Sequence, residues 1–89
     1  MFSKILVPQI LIIEKNEQIF DILISCIGSS DIEIERVNKI KNIADKSLSK
    51  YSLIIADLDL KDKNSLSCIK YIREKSLLSP VIILGENLL

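Results

Sequence analysis

Apolar and polar positions come in blocks along this chain. Ile10-Leu11-Ile12-Ile13, opening on Gln9, is a short continuous apolar run rich in β-branched residues. That is the pattern of a strand buried on both faces. A polar cluster, Glu14-Lys15-Asn16-Glu17, follows it, and then Ile19, Ile22, Leu23, Cys26 and Ile27 recur at helical spacing. Asn16 suits the N-cap, Glu17 the positive end and Gly28 the C-terminal stop. Ile32 to Val37 alternates apolar and charged residues, which predicts a half-exposed strand near a sheet edge. Ile40, Ile43, Ala44, Ser47 and Leu48 predict a short helix. Leu53-Ile54-Ile55-Ala56 is a second buried run, ending at Asp57. The charged loop 58–64 leads to Leu66, Ile69 and Ile72, which predict a third helix running to about Lys75. Ser79-Pro80 breaks the chain, and Val81-Ile82-Ile83-Leu84 predicts a last buried strand before Gly85.

The order βαβαβαβ implies an α/β fold with a mostly parallel sheet covered on both faces and right-handed crossovers. The continuous runs belong in the centre and the alternating strand at the periphery, which gives sheet order 2-1-3-4. The first helix then covers one face and the other two cover the opposite face, so Cys26 and Cys68 lie on opposite sides and do not bond. Core packing is the expected role of both thiols.

Composition narrows the classes. The chain has 89 residues, enough for one small domain, and 48% of them are hydrophobic, which excludes disorder. Residues 1–8 read as an N-terminal extension, with Ile5-Leu6-Val7 an extra strand or a strap, and 9–89 as the core. Twelve basic residues balance twelve acidic ones, which argues against nucleic acid as a partner. There is no histidine, so Ser-His-Asp and Cys-His catalysis and His-containing metal sites are excluded. No enzyme activity is expected. The apolar stretch from Ile5 to Ile13, broken by Pro8, is too short to span a membrane and lacks a leader cleavage site. A soluble, cytoplasmic protein with reduced thiols is expected. Lys39, Lys41, Lys46 and Lys50 make the second helical region basic, as a solvated face or as a docking surface for an acidic partner.

In open α/β sheets, sites lie at the carboxyl ends of strands where the strand order reverses. Here those ends carry Glu14 and Asp57, with Asp59 two residues on. Such carboxylates suit a hard cation such as Mg²⁺, and a carboxylate beside a cation can accept a phosphoryl group. Acidic residues also sit after strands simply because loops are solvated.

The segments Ile10 to Glu17, Tyr51 to Asp57 and Ser79 to Leu84, with Leu66 opening the third helix, resemble the receiver domain of bacterial two-component response regulators. The resemblance covers residues 9 to about 86 and lies in pattern and spacing. It implies a flavodoxin-like three-layer sandwich, phosphorylation of Asp57 by a histidine kinase, and Mg²⁺ held by Glu14, Asp57 and the main-chain carbonyl of Asp59. Several positions depart from the family. Lys15 stands where the second acidic metal ligand belongs, Lys61 and Ser65 replace a Pro and a Gly, and Gly85 occupies the switch-hydroxyl position. Leu89 falls before the family's fifth strand, last two helices and phosphate-contacting Lys.

By this resemblance the chain is a receiver-like signalling module, degenerate and C-terminally truncated, that acts through protein–protein interaction. A working phospho-acceptor receiver and a structural fragment without regulatory role are the alternatives. Ending the sheet at Val81, Ile82, Ile83 and Leu84 exposes an apolar edge, where a partner protein or a second copy is expected to pair.

Overall fold

A computed structural model of the chain describes residues 7–28, 31–58 and 63–85. Asp59 and Lys61, and Ile5 and Leu6 of the N-terminal strap, lie outside the described residues. Four strands, β1 (Gln9–Ile13), β2 (Glu33–Val37), β3 (Leu53–Asp57) and β4 (Val81–Leu84), form one parallel sheet in the order β2-β1-β3-β4. This is the order expected from the hydrophobic runs. β1 is central because it can lose both faces to water: Leu11 and Ile12 are completely buried, as is Ile54 in β3. The register sets Leu11 against Ile54 and Ile12 against Ile55, so like positions share a face.

Alternation along the strands divides the core in two. Ile10, Ile12 and Ile55 point to helix α1 (Glu17–Ile27), meeting Phe20, Leu23 and Ile27. Leu11, Ile13, Ile54 and Ala56 point the other way and meet Ile43, Leu48, Cys68 and Ile72. Cys68 and Ile72 belong to helix α2 (Lys63–Lys75).

Two local expectations are corrected. The helix expected around Ile40 to Leu48 is instead a pair of 3₁₀ segments, Ile40–Asp45 and Leu48–Lys50. Neither has a side-chain cap, and Asn42, Asp45, Ser47 and Ser49 are residues that compete with a helical backbone. A 3₁₀ turn repeats every three residues, which keeps Ile40 and Ile43 toward the sheet while Ala44 and Ser47 stay exposed. In α1 the inward stripe is Phe20, Leu23 and Ile27, whereas Ile22 is 61% exposed and Cys26 is exposed, not in the core. Glu17, Gln18, Asp21 and Ser25 make a narrow polar face and the apolar arc is wide, so periodicity left the helix's rotation open by one residue. Asn16 caps it as expected, accepting the Ile19 N–H at 3.1 Å. Gly28 closes it without positive φ; a side chain there would meet the Ile24 carbonyl oxygen at 2.5 Å.

Polar ties fix the less regular half. Glu35 on β2 receives the Tyr51 hydroxyl at 2.7 Å, Lys46 at 3.1 Å and Lys50 at 3.1 Å. Ser79 Oγ donates to the Tyr51 carbonyl at 2.7 Å and receives Ser76 Oγ at 2.6 Å, tying the α2–β4 turn to the start of β3. The Tyr51 hydrogen bond, helped by both lysines, holds the Glu35 carboxyl down to about 2 against the opposing effect of burial. Burial, then Glu35, pushes the Tyr51 phenol above its usual value. A carboxylate lowered on folding stabilises the fold above its unfolded value of 4.5 and loses that contribution as pH falls toward 2. Thermal melts across this window are expected to show an acid-side loss that is smaller in Glu35→Gln. An equal loss in both proteins would remove Glu35 as its source.

At the edge of the sheet β4 has no outer strand among the described residues, and Ile82 is 48% exposed. Among the described residues no helix is long and apolar enough to cross a membrane.

Candidate functional site

β1 and β3 lie side by side, and the connections leaving them run to opposite sides of the sheet. The crevice beyond their carboxyl ends is where an open α/β sheet can bind a ligand. Glu14 directly follows β1 and Asp57 ends β3, so the sheet itself brings the two expected carboxylates together. Glu14 is sealed in, with 1% of its surface exposed, while Asp57 is half-buried.

Glu14 is held from several directions. Its main-chain N–H continues the ladder to the Val37 carbonyl at 3.0 Å. Its Oε2 accepts the Asn16 N–H at 3.0 Å, whereas Oε1 is buried with no hydrogen-bond partner. Burial raises its carboxyl above the usual range, and the neighbouring Asp57 carboxyl raises it further; the Asn16 N–H and the Arg36 charge act the other way.

Lys15 and Asp57 line the same groove beside this pair. Gly85 follows Leu84, which is in register with Asp57. Ser65 is buried near the start of α2 and also lines the groove.

Arg36 was not singled out from the sequence. Its Nε donates to the Glu14 carbonyl at 3.1 Å and Nη2 to the Lys15 carbonyl at 3.4 Å, while the guanidinium lies 4.8 Å from the Phe20 ring centroid. It positions the β1–α1 turn. The available signal was its place opposite Ile12 on β2, one residue from the site end of the strand.

Glu14 and Asp57 are oxygen donors of the kind Mg²⁺ takes, and the unpartnered Oε1 supplies a spare lone pair. The ammonium of Lys15 acts against a cation, and no cluster of three or more acidic, Cys or His ligands occurs among the described residues. Among the described residues, Glu14 and Asp57 are thus the carboxylates at this crevice that could offer oxygen to such a cation. Comparison with protein-family models finds no match, and comparison with curated proteins finds none either.

Proposed function

We propose that this chain is a receiver-like signalling module that works through protein–protein contact, with the crevice around Asp57 as its functional end and little phosphoryl transfer. The observation that carries this reading is the composition of the crevice. Glu14 is sealed beside Asp57, and the charged side chains sharing the open groove with Asp57 among the described residues are lysines, Lys15 among them. Phosphoryl transfer to a carboxylate depends on positioned positive charge around the transferred group. Lys15 supplies one such charge, but it stands where a metal ligand would be, and Gly85 offers no hydroxyl.

The unpartnered Glu14 Oε1 favours a second reading. Here Glu14 and Asp57 would hold Mg²⁺, which would supply positive charge against that of a phosphoryl group. Asp57 then accepts the phosphoryl group of a phosphohistidine, forming an acyl phosphate as the P–N bond breaks. Intact-mass spectrometry after incubation with acetyl phosphate and Mg²⁺ separates the two. The expected result is an unchanged mass in a chain shown to be folded. Addition of one phosphoryl group, absent from Asp57→Ala, would overturn the first reading in favour of the second.

A further inference from the structure

The 3₁₀ segment Ile40–Asp45 does not close against α2 as a full helix would. Between them lies a groove of about 750 Å³, open to solvent and reaching the strand ends at Asp57. This is within the size range of ligand-binding clefts. Ile13, Ile43 and Cys68 form its nearly fully buried floor, and Ile40, Ala44 and Tyr71 are the accessible apolar part of its walls. Lys15, Lys39 and Lys41 also line it, against one carboxylate, Asp57, among the described residues.

These lysines differ from their neighbours in the chain. Lys46 and Lys50 are both engaged by Glu35. Lys15, Lys39 and Lys41 form no ion pair among the described residues. The basic run therefore divides into two lysines that hold the fold together and two that, with Lys15 from another loop, give the groove an excess of positive charge. Lysines are point charges on flexible stems. Three of them spread over two loops match a row of separate carboxylates better than one compact anion.

We infer that this groove docks an acidic peptide segment of a partner protein, which seats an apolar side chain against Ile40, Ala44 and Tyr71 and sets its carboxylates against Lys15, Lys39 and Lys41. The inference rests on reading the chain as a protein-contact module, and names the chemistry of its partner. Charge complementarity of this kind fixes orientation and speeds encounter, and it weakens with added salt.

The test is amide chemical-shift mapping of the full chain, titrated with a short synthetic peptide of alternating Glu and Leu, with its Lys–Leu counterpart as control. The expected result is salt-sensitive shifts around Lys39, Ile43, Cys68 and Tyr71 with the acidic peptide only. Lys39→Glu/Lys41→Glu is expected to weaken binding at least about tenfold, and Lys70→Glu, on the exposed surface of α2 outside the groove lining, to leave it unchanged. No shifts, shifts confined to another surface, or equal binding by the double variant would overturn the inference. So would shifts at these residues with inorganic phosphate but not with the peptide, which would make the groove a site for small anions. The two readings fail separately. Phosphoryl addition to Asp57 removes the phosphate-independent module whatever the peptide does, and a silent peptide with no phosphoryl addition removes only the groove.

Discussion

Ile54→Ala is expected to lower stability by about 2–5 kcal/mol, the range for truncating a large buried aliphatic side chain. Ile54 sits on a central strand, between Leu11 of β1 and Val81 of β4, with none of its surface exposed. Its neighbours are held by sheet pairing on both sides and cannot collapse into the space left behind, which puts the cost in the upper half of that range. A domain of this size has about 5–15 kcal/mol in all, so the loss is a large share of what the fold has. Urea denaturation of the variant beside Ile82→Ala gives the comparison. Ile82 is on the edge strand and 48% exposed, so its truncation is expected to cost well under half as much. Equal costs would mean that β4 is as well covered as β3 and that its edge is closed in solution.

Glu14→Gln is expected to stabilise the protein at neutral pH by about 1–3 kcal/mol, the usual scale for relieving a buried polar group that lacks a partner. Glutamine keeps the shape. Its carbonyl can still accept the Asn16 N–H, and its amide gives the buried end of the side chain donors that can turn toward Asp57. In the native chain the raised Glu14 carboxyl is favourable while protonated. Its contribution is complete below the unfolded value of 4.5 and declines as pH rises through the higher folded value. The variant should lack that decline. It should also lack any rise in melting temperature on adding Mg²⁺, whereas a rise in the native chain would mark the pair as a cation site. If Glu14→Gln is less stable than the native chain at neutral pH, the pair is a structural contact and not a strained one.

Sequence reading succeeded where burial leaves one choice. Ile10 to Ile13 and Leu53 to Ala56 have no polar side to turn to water, so both had to be central, and their ends had to meet. Glu14 and Asp57 became neighbours by that logic alone. It failed where several arrangements cost nearly the same. The apolar surface of α1 permitted either Ile22 or Phe20 as the inward residue, and the sheet with Arg36 over the Phe20 ring decided for the latter. The segment after β2 has Ile40 and Ile43 at a spacing that suits an α-helix or a 3₁₀ helix, and its polar residues chose the tighter form. The groove beside Asp57 follows from that choice, so no spacing rule for a helix revealed it. Arg36 was hidden for another reason. Its bonds go to main-chain carbonyls, and carbonyls leave no trace in a sequence.

The central place of β1 also sets an order of events during synthesis. β2 is made before β3, so the other edge of β1 has no partner strand until β3, and with it Asp57, is made. Before then Asp57 cannot stand beside Glu14. The step that seals Glu14 is the one that completes the crevice, because both require β3 to close a long loop back onto β1. A nascent chain therefore gains its candidate site and the strain within it in the same late step, and a partner that reads the crevice can recognise only chains whose sheet has closed.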